Sequence, residues 1–217
     1  MAKRMYRLCM EGIVCACGAS ALELYRSSKR LIPTLLDKPR TGKVAGLMVP
    51  PRQFLEDDMT ARGVTKQPYH VLVDGNHGYN PRRDIHAVAC YHPLPPRSLI
   101  KIDKGFWVTS PELTFIQICA DEDLSDFDII CLGYELCGTY VLDDSWDGLT
   151  CIDEPLTSTE KIGRLINSIH RVPGIKRARN LIKHVHDLSN SPMETILAIL
   201  VLSLIHISEP TRPISIS

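Results

Sequence analysis

The sequence predicts an α+β fold: a small β-hairpin and sheet region with packed helices, followed by a helical C-terminal segment. Three observations lead to it. Short β-rich runs fall before residue 110, helix-start signals follow one another after it, and 217 residues with 44% hydrophobic side chains can bury a core without disulfides or metals. The same composition excludes collagen-like, low-complexity and polytopic membrane chains.

In chain order, residues 13–17 form a short apolar run with strand character. Ser20 and Glu23 then have capping-box spacing for a helix to about residue 30, with Leu22, Tyr25, Leu31 and Ile32 as its buried stripe. The prolines and glycines of 33–52 mark a linker, and 52–62 forms a short helix before Gly63. Residues 69–73 and 84–91 are β-rich and flank a turn-forming segment, so a hairpin is expected. A further strand covers 106–109. Thr109 and Glu112 have capping-box spacing, with Pro111 suited to a first helical turn, so a helix runs to about residue 120. A second helix runs from about 125 to 137. After the acidic, turn-rich stretch 143–154, Thr157 and Glu160 open a helix through 170, and Pro173 starts another to about 187. Ser191, Pro192 and Glu194 supply cap, first-turn proline and closing glutamate for a last helix.

The formal net charge is zero, but the charges are segregated. Residues 1–104 hold 17 Lys and Arg against 9 Asp and Glu, residues 105–160 hold none against 13, and residues 161–217 hold 8 against 3. Such a chain is dipolar and can orient partners or pair its own segments. The eight cysteines follow no apolar leader at residues 1–7, which fits a reducing cytoplasm and plain buried thiols. Neither Cys15 and Cys17 nor Cys131 and Cys137 have zinc-ligand spacing.

Catalytic signatures are sparse. There is no nucleophile elbow and neither phosphate-cradling glycine motif. His184 and His186 are two apart and point to different sides of a helix, while His70 and His86 fall in expected strands as structural histidines. Two basic clusters remain: Arg82 with Arg83 in a loop, and Lys176, Arg177, Arg179 and Lys183 on a helix. On a 3.6-residue period Lys176, Arg179 and Lys183 share one face, and Ile175, Ala178, Ile182 and Val185 form the opposite, buried stripe. That basic face either binds phosphates, is merely solvated, or pairs with the acidic 121–160 segment.

Residues 108–117 (Val-Thr-Ser-Pro-Glu-Leu-Thr-Phe-Ile-Gln) and 132–140 (Leu-Gly-Tyr-Glu-Leu-Cys-Gly-Thr-Tyr) carry a family resemblance. They resemble bacterial proteins in which a region similar to AbiEi-type antitoxins precedes a Vsr-like domain of restriction-endonuclease fold. The segment 69–73, the loop 92–95 and residues 191–195 (Ser-Pro-Met-Glu-Thr) fit the same family, so the resemblance spans 69–201, and 20–26 looks familial too. In that family the 191–195 segment begins the first helix of the nuclease-like domain, and the metal-binding carboxylates lie on later strands. The resemblance therefore implies a non-catalytic recognition part, with no cofactor in this chain and Mg²⁺ belonging to a longer, endonuclease-like parent. Glu194 is the one position it brings toward a catalytic site, and the residue reads equally well as a helix cap. DNA, or a protein partner such as a toxin, is the expected ligand, in a bacterial defence or toxin–antitoxin setting.

Residues 202–212 (Leu-Ser-Leu-Ile-His-Ile-Ser-Glu-Pro-Thr-Arg) are similar to a translated sequencing adapter, which sets the expectation that the native sequence stops near Leu200 or Val201. The apolar run 193–207 is shorter than the roughly 20 residues a membrane span needs, so no membrane is expected as a partner. The expected organisation is an N-terminal strand, helix and linker over 1–68, an antitoxin-like α+β region over 69–155, a helical pair over 156–190, the first helix of a nuclease-like domain over 191–201, and an adapter-derived tail over 202–217.

Overall fold

Eight short strands and seven α-helices are found among the described residues, which in this computed structural model are 12–28, 34, 37–75, 82–143 and 148–208, the last seven by backbone alone. The strands β1 (Val14–Ala16), β2 (Arg40–Thr41), β3 (Tyr69–Asp74), β4 (Ile85–Cys90), β5 (Leu99–Lys101) and β6 (Phe106–Thr109) make one sheet in the order β2-β5-β6-β1-β3-β4. A separate hairpin pairs β7 (Tyr140–Leu142) with β8 (Leu149–Cys151). The helices are α1 (Gly18–Ser27), α2 (Arg52–Thr60), α3 (Pro111–Ile118), α4 (Asp126–Cys137), α5 (Thr159–Ser168), α6 (Ile175–Leu181), which runs on into a 3₁₀ turn at Ile182–His184, and α7 (Pro192–Ser208). The α+β class expected from the sequence is the one observed.

The two central strands, β1 and β6, are buried throughout, which is why they read as unbroken apolar runs without alternation. They pair in parallel with Val14 opposite Phe106, Cys15 opposite Trp107 and Ala16 opposite Val108. Against β3, by contrast, β1 runs antiparallel, with Ala16 opposite Val71.

The hairpin expected between 69–73 and 84–91 is corrected by the pairing. β3 and β4 run parallel, in register from Tyr69 opposite Ile85 to Asp74 opposite Cys90. Tight hairpins use loops of about two to five residues, whereas residues 75–84 are enough to carry the chain back along a six-residue strand of about 20 Å. Among the described residues hairpins instead join β5 to β6 within the sheet and β7 to β8, whose second strand lies inside the stretch read as an acidic turn.

Three of the expected caps also move, each for a visible reason. Helix α1 starts at Gly18, and Ser20 and Glu23 serve tertiary contacts: the Ser20 hydroxyl accepts the His70 N–H at 2.9 Å, and Glu23 accepts the Thr65 N–H at 3.0 Å. The Thr109 and Thr157 hydroxyls are taken by buried partners, Thr114 and Glu112 respectively, so the serine after each becomes the cap. Ser110 accepts from the Leu113 N–H, and Ser158 from the Lys161 N–H. Ser125 and Asp128 form a complete capping box on α4. Leu22 and Tyr25 are buried as expected, whereas Leu31 and Ile32 lie outside the described residues.

The core continues from the sheet into α3, which is buried on nearly every side and packs against α1, α4, α5 and α6. Beside it the half-buried Arg26 of α1 makes a bidentate ion pair with the buried Glu135 of α4. The Arg26 Nε donates to one carboxylate oxygen at 2.8 Å and a terminal nitrogen to the other at 2.6 Å. Glu135 is 2% exposed and also accepts the Leu142 N–H of β7 at 3.0 Å. Replacing Arg26 by methionine leaves that carboxylate buried without its cation, and a loss of about 3 kcal/mol in urea unfolding is expected. Glu135→Gln, which keeps an acceptor for Leu142, is expected to cost less than Arg26→Met in the same measurement.

Candidate nucleic-acid interface

Helix α6 carries the larger basic cluster, and its seat is set by Gly174. That residue has φ +80°, and a Cβ there would lie 2.4 Å from the Ile116 carbonyl and 2.6 Å from the Ala120 N, so only glycine lets α6 start against the end of α3. From that start Ala178, Leu181 and Val185 are buried, and Ile175 and Ile182 pack partly buried against the core. The apolar stripe read from periodicity is therefore the inner face. The helix ends earlier than expected, at Leu181 and then His184, because Val185 turns extended and fits against Gly133.

With that face inward, Lys176, Arg179 and Lys183 are all exposed, and none of them takes part in an ion pair found among the described residues. Arg177 differs. Its Nε donates to Asp126 at 2.7 Å, and its two terminal nitrogens donate to the Asp121 and Leu124 carbonyls at 2.7 and 2.6 Å. It clamps α6 to the loop between α3 and α4, which is a pairing with the acidic segment confined to one residue.

Arg82 and Arg83 precede β4, at the edge of the sheet, whereas α6 packs on α3, α4 and α5. Arg83 is exposed, while Arg82 is half-buried, donates to the Pro50 carbonyl at 3.3 Å and faces Asp84 at 3.5 Å. Glu194 is exposed and accepts the Asn190 N–H at 2.8 Å, and its own N–H donates to the Ser191 hydroxyl at 3.2 Å. It thus occupies a helix-capping position.

The described cysteines are free, and burial pushes the Cys119 thiol up to about 12 and raises those of Cys15, Cys17 and Cys137 further, so these thiols stay protonated. Cys9 lies outside the described residues. Among the described residues no group of three His, Cys, Asp or Glu side chains is spaced to hold a metal ion. No helix of the described residues is long and apolar enough to cross a membrane. One pair was missed in the sequence: His70 and His86 stack, because parallel pairing puts the second residues of β3 and β4 side by side. Their equal offset within two strands is visible in the sequence, but it becomes a signal only once the strands are known to be parallel.

No family model, no curated protein and no solved structure matches the chain.

The two kinds of basic residue on α6 and its 3₁₀ extension should separate cleanly in stability. Arg177→Ala is expected to lose about 2 kcal/mol through its carbonyl and carboxylate contacts. Charge reversal at Lys176, Arg179 or Lys183 is expected to move unfolding by less than about 0.5 kcal/mol, as measured by thermal and urea denaturation.

Proposed function

We propose that this chain is a non-catalytic recognition module that binds nucleic acid by its phosphates, through Lys176, Arg179 and Lys183, with Arg83 and the partly committed Arg82 as a secondary contact. The single observation in its favour is the division of labour on α6: one arginine is spent on fixing the helix, and three exposed cations are left without ion-pair partners among the described residues. Exposed Lys and Arg on a fixed scaffold bind phosphate by releasing counterions, without needing base contacts. The resemblance to AbiEi-type antitoxins ahead of a Vsr-like domain is consistent with DNA as the polymer and bacterial defence as the setting. In this reading any Mg²⁺-dependent cleavage belongs to a longer parent, and Glu194 acts as a cap.

A second reading rests on a different observation. Helix α7 exposes Met193, Leu197 and Leu200 at 73%, 63% and 53%, an uncharged surface that suits a protein partner such as a toxin better than a phosphate backbone. Fluorescence anisotropy with duplex DNA across 50–300 mM salt decides between them. The expected result is binding whose log–log salt slope is about −3, lost at least about tenfold in the K176E/R179E/K183E variant. Absence of binding at 50 mM salt overturns the nucleic-acid reading and leaves the protein-interaction one.

A further inference from the structure

Among the described residues β4 is an edge strand, with β3 as its neighbour in the sheet. At the second pair of their parallel ladder His70 and His86 are direct cross-strand partners, and their rings stack with centroids 4.7 Å apart and 25° between planes. Cross-strand pairs of this kind stabilise a ladder when they attract and weaken it when like charges face each other. His86 is exposed, and His70 is half-buried.

The surroundings of His70 favour the neutral ring. Burial, and then the proximity of His86, hold its proton affinity below that of an ordinary histidine, while Asp121, from the connection between α3 and α4, pulls the other way. On the side of α1 the contacts are uncharged. The ring Nδ1 approaches Gly18, lying 3.3 Å from where a Cβ would sit, and the His70 backbone N–H donates to the Ser20 hydroxyl. The Gly18 N–H is held by the Gln117 side chain at 3.0 Å, which fixes the wall against which the ring rests. From β4 the titratable neighbour is His86 itself. The one carboxylate that acts on His70 is therefore Asp121, and a second imidazolium at stacking distance would meet the first with direct charge repulsion.

We propose that the stacked His70 and His86 form a proton-operated latch on the edge strand: neutral, the pair holds β4 to β3, and doubly protonated, it loosens that end of the ladder. Because folding lowers the proton affinity of His70, the unfolded or opened chain binds protons more tightly than the closed one. The contribution of the neutral pair is thus present above the ordinary histidine pKa of about 6.5 and is lost as pH falls through that value toward the lowered one. The latch is independent of the phosphate-binding reading, although the strand it frees has Arg83 at its head.

Native-state hydrogen exchange of the full chain at pH 7.5 and pH 5.0, corrected for intrinsic exchange, tests the latch residue by residue. Amides of β4 are expected to lose at least tenfold more protection than those of β1 and β6, and His86→Gln, at an exposed position, is expected to make β4 protection independent of pH. In parallel, the His70 ring titrated by NMR is expected to move toward the ordinary histidine value in His86→Gln. Loss of protection in β4 no greater than in β1 and β6, survival of the pH response in His86→Gln, or an unchanged His70 titration each overturns the proposal.

Discussion

Glu135 sets a condition that much of the molecule has to meet. A carboxylate this buried cannot remain charged unless a cation and further donors surround it, and those partners come from α1 and β7. To bring Arg26 within reach, α1 must lie across the sheet beside α3. To bring the Leu142 N–H within reach, the chain after α4 must fold back at once into the β7–β8 hairpin. A pair of this kind adds little net stability over an apolar substitute, but it rejects any arrangement in which the three elements are offset. The packing of α3, which is buried on nearly every side, depends on that fixed offset.

Another buried carboxylate works in the same direction. Glu112, near the start of α3, accepts the Thr157 hydroxyl at 2.7 Å and lies 3.9 Å from Arg40 of the edge strand β2. Thr157 is thereby drawn out of a capping role, and α5 begins one residue later than its spacing suggests. Further along, Gly174 and Arg177 lock α6 to the opposite end of α3 from both sides, by close backbone approach and by carbonyl contacts. A rigid helix with outward cations follows from these inward constraints, and the cations themselves contribute nothing to it.

Long, well-signalled elements were legible in the sequence, and elements defined by partners were not. The strand 106–109 and the helix from 125 to 137 read correctly because each carries its own pattern: an unbroken apolar run in one, Ser125 with Asp128 beneath an apolar stripe in the other. The strands β2, β5, β7 and β8 are two or three residues long and hold no periodicity to read. The direction of β4 was misjudged because local turn residues outweighed the length of the connection. On the basic helix, the outward direction of Lys176, Arg179 and Lys183 followed from the 3.6-residue period alone. The role of Arg177 did not, since its partners are carbonyls and a carboxylate more than fifty residues upstream in the chain.

The parallel pairing of β1 with β6 has a consequence in time as well as in space. Residues 14–16 emerge from a ribosome some ninety residues before 106–108, their partners on one side, and only β3 is available earlier on the other. The centre of the sheet is therefore the part made first and closed last. Contacts of such long sequence separation carry a large loop-closure cost, so the chain belongs among slow-folding topologies. Until β6 arrives, the apolar edge of β1, with the Cys15 thiol in it, stands open to whatever else is in the solution.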